Sequence, residues 1–145
     1  MTPTNILVPV DFSAHSERAL DYACSLAEKL GAKIHLVHAI GAGLPELGAA
    51  LTDSMIAALR EGSLAELKKV AREREGIASF GKIMVEPGDA RDAILEAAKV
   101  CSADLVVLGS HGRRGLSRLV LGSVAEDIAR RAACPVLIVR MPGAS

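Results

Sequence analysis

Charge of either sign is missing in excess from this sequence, because 17 basic and 17 acidic residues cancel over 145 positions. A chain so balanced has no overall field to draw it onto nucleic acid or an anionic membrane, and neither is expected as a partner. No apolar run approaches the ~20 residues of a membrane-spanning helix. The opening MTPTNILVPVDFS lacks the basic, apolar and small-residue order of an export signal, so a cytoplasmic location is expected. Cysteine is sparse: Cys24, Cys101 and Cys134 lie far apart in or beside apolar segments, with no C-x-x-C spacing. Buried reduced thiols are expected from that pattern, not a disulfide or a metal site. Internal repeats and low-complexity segments are also absent.

What is present suits a single globular domain over 1–145. Hydrophobic residues make up 50% and charged residues 23%, and a chain of this length buries roughly 70% of its unfolded surface. NILVPV at 5–10 is short, continuous and rich in branched side chains, as a strand buried on both faces should be. Ser13 then caps a helix in which Ala19, Leu20, Ala23, Cys24, Ala27 and Leu30 recur at helical spacing until Gly31 stops it. KIHLVHAI at 33–40 reads as a second strand, followed by a loop carrying Gly41, Gly43, Pro45 and Gly48. A helix is expected over 52–75 with Gly62 as a point of interruption, then a strand over 82–86. Asp89 caps a third helix over 90–101, and DLVVLG at 104–109 is the fourth strand. Helix four over 124–133, strand five over 135–140 and a short tail complete the chain. Five buried-type strands alternating with four helices predict an α/β, doubly wound parallel sheet joined by right-handed crossovers. Ligands of such sheets bind beyond the carboxyl ends of the strands, where strand order reverses.

One of those ends opens GSHGRRGLSRLVLGS, residues 109–123. Its glycines let main-chain N–H groups approach a ligand closely, and Gly122 with Ser123 stands just before helix four, whose first N–H groups favour an anion. A different use fits the same residues: SVAE at 123–126 has the S-x-x-E spacing of a capping box, in which Glu126 would occupy the Ser123 N–H. Spacing alone leaves the phosphate cradle and the capped turn both open. The stretch matches neither G-x-x-x-x-G-K-[ST] nor G-x-G-x-x-G, so P-loop and dinucleotide chemistry are unsupported.

The stretch does fit G-x2-G-x9-G-[ST] through Gly109, Gly112, Gly122 and Ser123, and so resembles the nucleotide-binding signature of the universal stress protein family. ILVPVDFS, LVHAI and ACPVLIV look like the family's first, second and closing strands, which extends the resemblance over essentially the whole chain. It implies a Rossmann-like sheet ordered 3-2-1-4-5, with Asp11 beside Gly109. It implies that Asp11 contacts a ribose and helps hold a divalent ion, Mg or Mn, while backbone around Pro9, Val10 and Ala39 lines an adenine slot. By the same resemblance, Leu108, Gly109, His111, Gly112, Arg113, Gly122, Ser123 and Val124 surround the phosphates of ATP, ADP or AMP. A homodimer formed by antiparallel pairing of residues 134–140 is implied as well, and the hydrophobic VLIV suits a strand that must be covered.

Other residues carry less. Asp11 also has a capping reading, together with Ser13. Arg113, Arg114 and Arg118 can neutralise phosphate or simply be solvated. His111 can stack or donate to phosphate, or do neither. His35 and His38, three apart on a strand, face opposite sides and cannot share a metal; His15 is expected at the surface. The function expected is an ATP-binding regulator of the stress response. A slow or partner-dependent ATP hydrolase is one alternative, limited by the lack of a positioned general base or Walker B carboxylate. A nucleotide-free dimeric scaffold is the other. A receiver domain would need an acidic pair after strand one, where VPVDFS offers one acid.

Overall fold

A computed structural model describes residues 2–40, 52–111 and 121–141. The elements run β1 (Asn5–Pro9), α1 (Ala14–Leu30), β2 (Lys33–Ile40), α2 (Asp53–Arg72), β3 (Ser79–Pro87), α3 (Ala90–Val100), β4 (Leu105–Gly109), α4 (Ser123–Arg131) and β5 (Val136–Val139). The strands form one parallel sheet in the order β3-β2-β1-β4-β5, as the resemblance implied.

Strand alternation divides the core between two faces. Ile6 and Val8 of β1 join Ile34, Leu36 and Val107 beneath α1 and α2, packing on Leu20, Ala23 and Leu67. Leu7, Val37, Val106 and Leu108 point the other way, onto Ile94 and Ala97 of α3 and Ala125 and Ile128 of α4. Helix ends are set by capping. Ser13 accepts from the Ser16 N–H, Thr52 from Met55 and Asp89 from Arg91, while Gly31 ends α1 at φ 69°. At the opposite end of the sheet, the Asp104 carboxylate accepts from the N–H groups of Thr4 and Asn5 at 3.0 Å and anchors the start of β1.

Several expected boundaries move. Helix α2 runs unbroken through Gly62, which stands in open space where a glycine costs helix stability without forcing a kink. β3 begins at Ser79, three residues early, because it takes in a bulge: Ile34 pairs with Phe80 but Leu36 pairs with Ile83. β5 is half-buried along its whole length, as the strand expected at the sheet's edge should be. Cys24 and Cys101 are buried and Cys134 is half-buried; burial pushes the Cys24 thiol up to about 11 and raises the other two.

The bulge explains one histidine. His35 is buried beside it; its Nδ1 accepts the Lys82 N–H at 2.9 Å, and Nε2 faces the Asn5 Oδ1 at 2.9 Å. Because Nδ1 is the acceptor, the proton sits on Nε2 and is donated to Asn5. A Cβ on Gly81 would lie 2.5 Å from the His35 ring, so the bulge must carry glycine there.

Candidate nucleotide-binding site

At the carboxyl ends of the strands, β1 pairs with β2 through five residues but with β4 only through Ile6 and Leu7. The two central strands therefore part before they end, and the crevice lies where strand order reverses. Continuing the Leu7–Val106 register brings Gly109 level with Val10, next to Asp11. Pro9, Val10, Asp11, Ala39, Leu108 and Gly109 all belong to this end of the sheet, as the sequence predicts.

The turn from β1 into α1 is tightly held. Asp11 Oδ1 accepts from the Ser13 N–H at 2.9 Å, and the Asp11 N–H donates to Ser16 Oγ at 3.3 Å. Ser13 is thus the cap of α1, and Asp11 supports it through an Asx turn that occupies one of its carboxylate oxygens. Phe12 follows at φ 63°, a left-handed conformation that costs a non-glycine residue of order 1–3 kcal/mol. Its ring packs on His38 with centroids 4.8 Å apart, and His38 Nδ1 donates to the Val10 carbonyl at 2.6 Å. Sequence gave no sign of this strained residue, because nothing in a phenylalanine's neighbours signals a positive φ. His35 and His38 do part company as expected, one to the bulge and one to the crevice.

Two glycines of the signature have packing duties. A Cβ on Gly109 would lie 2.9 Å from the His15 carbonyl oxygen, so the first turn of α1 rests directly on the end of β4. A Cβ on Gly122 would lie 2.8 Å from the Ser110 carbonyl oxygen, and the Gly122 N–H donates to that oxygen at 2.8 Å. The stretch is therefore pinched at its base, between Ser110 and Gly122. Gly112 and Arg113, with Gly115, Arg114 and Arg118, lie outside the described residues, as do the glycines and proline of the 41–51 segment.

The pinch overturns the capping box. Gly122, not Ser123, is the N-cap of α4; Ser123 becomes the first helical residue, and no side chain among the described residues caps the helix. Glu126 turns along the helix to Arg130 at 2.8 Å, away from the Ser123 N–H. Among the four helices, α1, α2 and α3 each have a side-chain cap and α4 has none. Its first N–H groups, at Ser123, Val124 and Ala125, have no acceptor within the helix.

His15 corrects another expectation. It is half-buried, not on the surface, with its ring edge-on to His111 at 5.4 Å, while His111 Nδ1 lies 3.2 Å from Ser110 Oγ. The helical position of His15 was legible, but its contact with Gly109 comes from a distant strand. No cluster of three metal-ligating side chains occurs among the described residues.

A family model of the universal stress protein family matches residues 3–140. This chain belongs to the universal stress protein family. It is 36% identical to universal stress protein A homolog 2 of Coxiella burnetii, an alignment covering 95% of each chain. Its fold superposes on the protein MJ0577 of Methanocaldococcus jannaschii with a TM-score of 0.81 at 25% identity, over 99% of both chains. It is also similar to a universal stress protein solved in complex with cAMP, with a TM-score of 0.68 and 28% identity over 97% and 98% of the chains. A fourth relative, from Archaeoglobus fulgidus, is solved in complex with dAMP, with a TM-score of 0.62 and 27% identity over 95% and 98%. No described helix of this family member is long and apolar enough to cross a membrane.

Proposed function

We propose that this universal stress protein is a regulator in the stress response that binds an adenine nucleotide, ATP with ADP and AMP as shorter forms, in the crevice between β1 and β4. The observation that carries the reading is the start of α4, which has no side-chain cap among the described residues and is held just beyond β4 by the bond from Gly122 to Ser110, where β4 has parted from β1. An anion is the natural partner for such a helix end. Two relatives in complex with cAMP and dAMP add the adenine. Backbone at Pro9, Val10 and Ala39 lines the base in this reading, Asp11 approaches the ribose, and Leu108, Gly109 and His111 border the phosphates with Gly112 and Arg113. The N–H groups of Ser123 and Val124 hold the phosphates, together with the Ser123 hydroxyl. Gly122 contributes shape alone, because its N–H is taken by Ser110. For a Mg or Mn ion carried in on the nucleotide, Asp11 at the end of β1 is the carboxylate that would approach it, through the oxygen not bonded to Ser13.

The test is calorimetry with ATP, ADP, AMP and adenosine. Four or five charge-assisted hydrogen bonds support ATP binding at about micromolar Kd after the costs of association, with adenosine at least about tenfold weaker. No binding of any of them at millimolar concentration overturns the reading.

Dimerisation through 134–140 belongs to the same proposal. The Val106 N–H donates to Pro135 and the Ser110 N–H to Val139, so 135, 137 and 139 turn their backbone groups to β4. Those of Val136 and Ile138 consequently face outward from the sheet edge. A second copy can pair there. Sedimentation at micromolar concentration should give a dimer for the parent and a monomer for Ile138→Pro, which removes an outward N–H and spares the β4 ladder. A monomeric parent overturns this part.

A further inference from the structure

We propose that His15 is a phosphate-contacting residue of the nucleotide site, acting through Nδ1 from the α1 side of the crevice; this rests on the nucleotide reading above. Three observations converge on it. The His15 Nδ1 is buried and has no hydrogen-bond partner among the described residues. Its ring meets His111 edge-on at 5.4 Å, and the His111 Cα lies 3.2 Å from where a Cβ of Gly122 would stand. His15, His111 and the start of α4 therefore form a continuous corner at the carboxyl end of β4. His15 is fixed in that corner by its own backbone, because its carbonyl rests on Gly109.

A buried nitrogen without a partner is a cost that the ligand-free chain carries. It is closed off in the ligand-free chain, so a group entering the crevice pairs with it through a small turn of the imidazole toward β4. The α4 N–H groups beside it select an anion, and an imidazole N–H donates to a phosphate oxygen without having to change its charge state. The ligand then gains a charge-assisted hydrogen bond and also removes the cost of the unpaired nitrogen. Adenosine, which has no phosphate, gains neither. His15 thereby makes affinity depend on the phosphate chain.

Two variants separate contact from packing. His15→Phe keeps an aromatic edge against His111 and removes the nitrogen; His15→Asn returns an amide near the position of Nδ1. Calorimetry should show H15F binding ATP about tenfold or more weakly with unchanged adenosine affinity, and H15N binding ATP within about threefold of the parent. In parent protein labelled with 15N-histidine, ATP but not adenosine should shift the imidazole pair that is missing from H15F. Equal ATP affinity in H15F and parent overturns the inference, as does an equal loss of ATP and adenosine, which would mark a packing role. A parent that binds no adenine nucleotide overturns the proposed function with it, whereas ATP binding unaffected by H15F overturns the His15 contact alone.

Discussion

Ser123→Asp should fold at least as well as the parent and lose adenine-nucleotide binding. A carboxylate in the first turn of a helix opposes the positive end of the dipole and stabilises by about 0.3–1 kcal/mol. Helix α4 stands to gain, because Ser123 is its first residue, exposed, and no side chain among the described residues caps the helix. The same charge would face the phosphates. At an effective dielectric of about 20 and a separation of about 4 Å, like charges repel by roughly 4 kcal/mol, which corresponds to a loss of more than about a hundredfold. Thermal unfolding and ATP calorimetry on one preparation check both halves. Retained ATP affinity would remove the phosphates from α4. Gly122→Val is the more obvious variant and a poorer one. Its side chain would meet the Ser110 carbonyl at 2.8 Å, so lost binding there would report an opened pinch as readily as a lost cradle.

That contrast shows which parts of the site the sequence could disclose. The sheet was legible because ILVPV and DLVVL are continuous apolar runs, which parallel strands covered on both faces require. Strand order came with the family resemblance; periodicity supplies the strands and not their neighbours. The S-x-x-E spacing at Ser123–Glu126 was real and misleading. A one-residue shift of the helix start, set by the hydrogen bond from Gly122 to Ser110, moved Ser123 into the helix and released Glu126 to Arg130. No local pattern encodes that contact, because its partners stand twelve residues apart in the sequence. Gly109 was read as making room for a phosphate, while the structure also gives it the carbonyl of His15 to accommodate. The surface expectation for His15 fails for the same reason, since the Gly109 it packs against stands 94 residues on in the sequence. The bulge at Gly81 shortens the apolar pattern of β3 at its start, so the sequence predicts the strand only from Lys82 onward.

His35→Leu should cost about 2–4 kcal/mol at pH 8, the sum of a stranded Lys82 N–H and a stranded Asn5 amide. Leucine fills much of the ring's volume but offers neither an acceptor nor a donor, and the bulge holds the Lys82 N–H where His35 Nδ1 receives it in the parent. A second signature separates this from ordinary core damage. Burial, then the nearby charges of Lys33 and Lys82, lower the His35 pKa below its ordinary value. The acceptor role of Nδ1 acts in the same direction, since a proton there would break the bond to Lys82. The unfolded chain binds a proton near pH 6.5 that the folded chain refuses, so this group's contribution is complete above about 6.5. It declines as the pH falls from there through the lower folded value. Urea unfolding between pH 8 and pH 5.5 should therefore show the parent losing stability toward acid with a steeper slope than H35L, and the two curves converging. Parallel curves would mean that His35 is not the group whose protonation the fold resists. The bulge, its glycine and the neutral imidazole would then be held together by packing alone.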